Sequence, residues 1–371
     1  MRHAPSAHRL FFPAAVLFAL AAIPAWVLEY AGILPPARGG GFVAWHGHEM
    51  VFGYALAVIA GYLLTRISGN ALVAVFALWL AGRIDYLLLP LPPLAEAAIA
   101  VSFPLCLFVF AGTPFLRAAK TWRNSIFAAI LAGLVLAALA YQSGALGALA
   151  AGEARGVGLG INVVTLLMFT MGGRIIAAAT SGALQDRGIR LHGVAHPDLE
   201  TAGVAAIAVL AATDFWGRAA AVAAAAALAA ALTVVLRLYR WQVWKVAAHP
   251  EMLALHVGYA WLAIGLAAQG AALAFGVPAP VDALHGVTVG ALGSLSLAIM
   301  ARVSLQRSAR PIVFPPYVTL AIAMISGAAI CRLLAAIPFL RIVLIEAASL
   351  LGLLAFALFA IFLFRLRRPA R

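Results

Sequence analysis

The sequence predicts an all-α, polytopic transmembrane helical bundle of about twelve spans with both termini cytoplasmic, and three observations lead there. Hydrophobic residues make up 65% of the 371 and charged residues only 10%, whereas soluble domains carry roughly 25% charged residues. The apolar runs are about 20 residues long and lack the ten-residue alternation of a lipid-facing barrel, so backbone groups must be satisfied within helices. Arginines gather in short clusters between the runs, as membrane topology signals do.

Apolar windows bounded by charge, Pro or Gly fall at residues 10–34, 44–66, 70–89, 93–116, 122–142, 157–180, 199–214, 217–237, 251–275, 281–304, 314–335 and 339–364. The first follows Arg2 and Arg9 as a signal peptide would. Its run from Leu10 to Leu34 exceeds the roughly 7–15 apolar residues of such peptides, so it is kept as the first span. The pair 199–214 and 217–237 is separated only by Asp214 to Arg218, and ten or eleven spans are the alternatives to twelve. The longest connection, 181–198, is too short for a soluble domain, and residues 1–371 are expected to form one integral membrane domain. No six-plus-six repeat is visible. One echo is His-x4-Gly, in His48 with Gly53 and in His285 with Gly290.

The net charge of +13 and pI near 10.8 do not indicate a nucleic-acid partner, because no basic face forms. On the twelve-span count, the termini and even connections hold Arg2, Arg9, Arg66, Arg117, Lys120, Arg123, Arg174, Arg187, Arg190, Arg237, Arg240, Lys245, Arg302, Arg307, Arg310 and the tail from Arg365. The opposite side holds only Arg38, Arg155, Arg218 and Arg341, which fixes the expected orientation. Trp26, Trp45, Trp122, Trp216, Trp241 and Trp244 lie near window ends, as an aromatic belt requires. Cys106 and Cys331 both fall inside spans, which supports neither a disulfide framework nor a cysteine zinc site.

Ionisable groups within spans are costly unless they pair, bind metal or face water. Trp45-His46-Gly47-His48-Glu49-Met50 opens the second window with two imidazoles and a carboxylate. At about 1.5 Å per residue, His46, His48, Glu49 and His285 fall near the outer surface, with Glu29, Arg83, Asp85, Asp282 and Arg332 in the outer half. His256 lies in the inner half near the depth of Arg174 and Arg302, so two sites are expected. If His46 and His48 are both helical they point about 200° apart and one ion cannot bind both; if the helix starts after His48, a shared ion is allowed. Imidazole is the usual ligand for transition metals and haem, and without Cys-x-x-Cys-His a haem would be non-covalent, of b type. Arg83 or Arg332, and Arg174 or Arg302, would then pair with propionates.

Plainer readings stand beside these. Histidines at a membrane edge are ordinarily interfacial, which suits His3, His8, His192, His196 and His249. Proton relay and substrate binding are the other readings of His46, His48, His256 and His285. Arg174 and Arg302 close helices and would anchor topology equally well. Gly53, Ala57 and Gly61, and Gly286, Gly290 and Gly293, make flat faces suited to helix packing or to a flat cofactor.

Four motifs carry a resemblance. Trp-His-x-His-Glu-Met from Trp45, running on to Ile59-Ala60-Gly61-Tyr62-Leu63-Leu64-Thr65, is the first, and Met171-Gly172-Gly173-Arg174-Ile175-Ile176 is the second. Leu255-His256-Val257-Gly258-Tyr259-x-Trp261 follows. The last is Leu284-His285-Gly286-x-Thr288-Val289-Gly290 with Met300-Ala301-Arg302-Val303-Ser304-Leu305 downstream. In this order they resemble the NnrS family over nearly the whole chain. The resemblance implies a bacterial inner-membrane protein of about twelve helices that contains haem and copper and protects against nitrosative stress. It carries over to His46, His48, Glu49, Arg174, His256, His285 and Arg302 without saying which histidine holds which metal. Two departures are Gln306-Arg307-Ser308-Ala309-Arg310, where the family pattern has Gly-His-Thr-Gly-Arg, and Ala177-Ala178-Ala179-Thr180, where it has Pro-Phe-Phe-Thr.

The leading expectation is a haem and copper oxidoreductase that binds and reduces nitric oxide, with electrons from membrane quinol and Glu49 as general acid. Nitric oxide, small and nearly apolar, would reach a buried iron through the bilayer. The rivals are a membrane transporter or metal-handling carrier and a haem-based sensor or scavenger without turnover.

Overall fold

In the computed structural model, residues 6–34, 42–88, 91–118, 121–189 and 196–367 are described. Arg2, His3, Arg38, Lys120, Arg190, His192 and the tail beyond Arg367 lie outside them, as does the side chain of Asp85. All described structure is helix, turn or coil, with no strand among the described residues. Each apolar window coincides with a helical run. These are α1 (Ala7–Tyr30), α2 (42–63), α3 (Gly69–Leu88), α4 (Pro93–Arg117), α5 (Trp122–Ala145) and α6 (Gly152–Gln185), then α7 (Pro197–Trp216), α8 (Ala220–Arg240), α9 (Pro250–Phe275), α10 (Pro280–Arg307), α11 (Pro316–Leu334) and α12 (Arg341–Leu366). Among the described residues ten helices, all but α2 and α3, are long and apolar enough to cross a membrane.

The boundaries follow local chemistry. Proline, with its fixed φ and missing N–H, opens α4, α7, α9, α10 and α11 at the first turn. Gly217, at φ +61°, ends α7 in the left-handed conformation a side chain resists, so the pair read as separable by Asp214 to Arg218 is two helices.

Four runs contain a wide π turn: Glu49–Ala55 in α2, Phe108–Gly112 in α4, Met168–Gly172 in α6 and Gly286–Gly293 in α10. Widening weakens the backbone ladder, and side-chain donors fill in. Trp79 Nε1 donates to Gly53 O at 2.9 Å, and Arg237 Nη1 and Tyr259 OH donate to Phe169 O at 2.9 and 3.0 Å.

The chain divides into two compact units, Met1–Val164 and Thr165–Arg371. In the first, α1 lies on α2 with Phe11 and Phe12 wholly buried, and a β-carbon at Gly61 would stand 2.5 Å from the Phe12 ring. Phe11 also stacks on Phe103 at 5.8 Å. Helices α5 and α6 touch backbone to backbone: a β-carbon at Gly152 would lie 2.6 Å from Gly144 Cα, and one at Gly156 2.5 Å from Tyr141 N. In the second unit α9 meets α10 the same way, Gly286 against Gly265, which fixes the turn that follows His285. Lipid tails are as apolar as leucine, so such contacts are favoured by close packing of small residues more than by transfer from water.

Candidate functional site

Residues Phe42–His48 are α-helical, so His46 and His48 project to different faces and the shared-ion alternative falls away. The His46 ring lies on Trp26 at 4.8 Å, whereas His48 lies on Tyr141 at 4.4 Å and Phe52 at 4.9 Å. His48 is the last residue before the π turn, and Glu49 is the first within it. His48 Nδ1 donates to Glu49 Oε1 at 2.9 Å, while Arg83 Nη1 pairs with Glu49 Oε2. Gly53 makes room for this: a β-carbon there would meet Phe18, the Arg83 guanidinium and the Glu49 carboxylate. All three polar side chains are buried, and the guanidinium lies over Phe18 at 5.9 Å.

The second unit holds three polar groups. In α10, His285 also closes an α segment before a π turn, so the His-x4-Gly echo is structural as well as sequential. Its Nδ1 donates to Val281 O at 2.8 Å and its Nε2 receives Arg332 Nη2 at 3.0 Å. Asp282, fully buried, takes both guanidinium nitrogens of Arg341 at 2.9 and 3.3 Å, with Arg332 at 4.0 Å. His256 in α9 donates from Nδ1 to Met252 O at 2.9 Å, and its Nε2 stands 3.3 Å from Thr180 Oγ1. Arg174 Nη2 and Nε bond Glu200 Oε1 at 2.7 and 3.2 Å. Arg302 is half-buried in the last turns of α10.

A carbonyl only accepts and a guanidinium only donates, so the tautomers follow. His256 and His285 carry their hydrogen on Nδ1, and His48 does the same towards the Glu49 carboxylate. In each ring the lone pair is on Nε2. This is how ligating histidines are ordinarily held: the second nitrogen bonds a carbonyl or carboxylate that fixes tautomer and orientation.

The expected propionate partners differ from the expectation in one respect. Arg83, Arg174 and Arg332 each have a protein carboxylate beside them, Glu49, Glu200 and Asp282, because a guanidinium in a low-dielectric interior needs a counter-charge from the chain itself. Sequence reasoning missed Glu200 as the partner of Arg174, Thr180 beside His256, Arg341 as a bidentate partner of Asp282, and the burial of Arg237. The sequence places Arg237 with the basic connection residues Arg240 and Lys245, yet it is only 5% exposed. Its place one turn inside Arg240 was the available signal.

His196, in the connection before α7, accepts from Arg240 Nη1 at 3.1 Å. Burial first, then the charges of Arg240 and Arg237, hold its pKa below the usual histidine value. It therefore contributes stability that is present above that ordinary value, about 6.5, and is lost as pH falls through it, because the unfolded chain then binds the proton more readily. Histidine-selective NMR titration should find His196 less than half charged where free imidazole is half charged, and Arg240→Gln should raise its midpoint. A midpoint at or above 6.5 in the unaltered protein would contradict this.

Described residues that form no strand, ten membrane-capable helices among them and polar centres buried inside these make an integral membrane protein built around ionisable groups. The chain belongs to the NnrS family: the family described as NnrS protein matches residues 4–369, nearly its whole length. No curated protein matches it. Membership makes it a nitric-oxide-related membrane protein.

Proposed function

We propose that this protein binds haem b non-covalently, takes up nitric oxide and reduces it as part of nitrosative stress defence. The supporting observation is the common setting of His48, His256 and His285, each with Nδ1 committed and the lone pair on Nε2, which in His285 accepts from Arg332 and in His256 faces Thr180 until a ligand replaces that contact. The histidines are separate, so each suits a group that asks one nitrogen of the protein, as an iron porphyrin does. Copper, which the resemblance also implies, fits less well. Among the described residues no three His, Cys, Asp or Glu side chains converge on one point, and no step is assigned to it.

When bound, haem supplies the iron on which nitric oxide would coordinate and accept electrons. The chain's own residues orient and insulate. Arg83 holds Glu49, Glu49 holds His48, and Tyr141 and Phe52 keep the ring from water. Proton delivery from Glu49 would require one of its two bonds to open. Membrane quinol is taken as the electron donor. The arginine distribution supports twelve spans and cytoplasmic termini, which terminal reporter fusions would test, and family membership supports the bacterial inner membrane as location.

The primary test is a dithionite-reduced minus air-oxidised spectrum of detergent-purified protein, with iron quantified and nitric oxide then added. A Soret and α-band pair that shifts with nitric oxide is expected, with less iron per chain in His256→Ala or His285→Ala. Glu49→Gln should weaken retention at His48 by about tenfold. Folded protein with no iron and a featureless spectrum would remove the haem reading and favour a carrier. A shifting spectrum without electron consumption would leave a sensor or scavenger.

A further inference from the structure

Arg237 is a cation only 5% exposed, yet among the described residues no carboxylate lies within ion-pair distance of it. Every other buried arginine named here has an acid beside it. Its neighbours are the faces of Phe169 at 4.7 Å, Trp241 at 5.1 Å and Tyr259 at 5.6 Å. Both hydrogen bonds, to Phe169 O at 2.9 Å and to Tyr259 OH at 2.7 Å, come from Nη1. Nη2 and Nε bond no acceptor among the described residues. Nη2 lies over Gly173, where a β-carbon would collide with it, so Gly173 leaves the room that the guanidinium fills.

The surroundings are basic. Arg240 follows one turn later, exposed and bonded to His196, and Lys245 is exposed beyond it. The nearby acid Glu200 is already taken by Arg174, and Asp198 faces outward on α7. Depth is marked by Tyr239 and Trp244, 69% and 56% exposed with rings 5.6 Å apart, as interfacial aromatics are. Leu232, Val235 and Leu236 of the same helix are exposed and apolar. The arrangement is a helix with Leu232, Val235 and Leu236 exposed on one side, Arg237 on the buried side beside Ala230, Val234 and Trp241, and the exposed Arg240 between the two.

We infer that Arg237 and Arg240 form a phosphate site that takes the headgroup of an anionic membrane lipid, with its acyl chains along the exposed apolar face of α8. Guanidinium groups match phosphate oxygens in geometry and charge, and basic recesses between helices are where anionic lipids dock. The shared chemistry is the phosphate, which could also arrive as free phosphate.

The test uses the full chain in nanodiscs of phosphatidylcholine with or without phosphatidylglycerol at one ionic strength, with bound lipid counted by native mass spectrometry. The unaltered protein should hold phosphatidylglycerol several-fold more tightly than phosphatidylcholine, and Arg240→Gln should lower that preference by about fivefold. Arg237→Gln should abolish it. If that variant does not fold, the surface change Arg240→Gln decides alone. Inorganic phosphate that displaces the lipid at millimolar concentration would make this a free-anion site and overturn the lipid assignment. Equal retention of both lipids, or a preference unchanged in Arg240→Gln, would mean that the aromatic rings alone satisfy Arg237.

Discussion

Arg83→Met will destabilise the protein by about 3–5 kcal/mol, because removing one partner of a buried ion pair leaves the other charge uncompensated. Glu49 is 2% exposed and Arg83 7%, so solvent cannot enter to screen the orphaned carboxylate. Glu49→Gln alone should cost less, about 1–3 kcal/mol, since the amide keeps an acceptor for Arg83. Combining the two changes should recover much of the loss. Thermal melting of the four proteins in one detergent measures the coupling. A single Arg83→Met variant that melts with the unaltered protein would show that the pair contributes nothing to stability.

Gly156→Leu is expected to cost about 3 kcal/mol or more and to displace Tyr141 from His48. A β-carbon at residue 156 would lie 2.5 Å from Tyr141 N and 2.7 Å from Ala137 O. These are backbone atoms, so no rotamer change relieves the overlap and the two helices must part. Gly82→Ala is the control. Its β-carbon would meet only Ile99 Cγ2 at 3.8 Å, and helix propensity alone favours the change by about 1 kcal/mol. Melting curves for both, with the haem spectrum of Gly156→Leu if the unaltered protein carries one, separate a packing defect from a general intolerance of substitution.

How much was legible follows from what carries each signal. Helix positions were, because a span is written in about 20 consecutive apolar residues. All twelve windows met a helix, including the pair joined through Gly217. The histidines were visible as ionisable groups in hydrocarbon. Their partners were less so: Glu200 and Thr180 are remote in sequence from Arg174 and His256, and only packing joins them. The wide turns were hidden too, since no periodicity announces one, although the Gly at 112, 172 and 293 marks three of their ends. The burial of Arg237 is not legible in the sequence, because a charge within a turn of a helix end looks the same whether it points out to water or in towards three rings.

The wide turns have a consequence for how such a chain can vary. An α-helix is rotationally stiff: deleting one residue turns everything beyond it by about 100°. In α10 the segment Ser294–Arg307 is phased by the slack in Gly286–Gly293. The two ends of the helix are thereby geared separately, and the face on which Arg302 stands is set by winding, without any change at His285. A one-residue deletion inside that slack would tighten the wide turn to an α turn and leave the far segment close to its present face, whereas the same deletion in regular helix would turn it by about 100°. The four wide turns among the described residues are therefore places where this fold can gain or lose a residue without re-aiming half a helix.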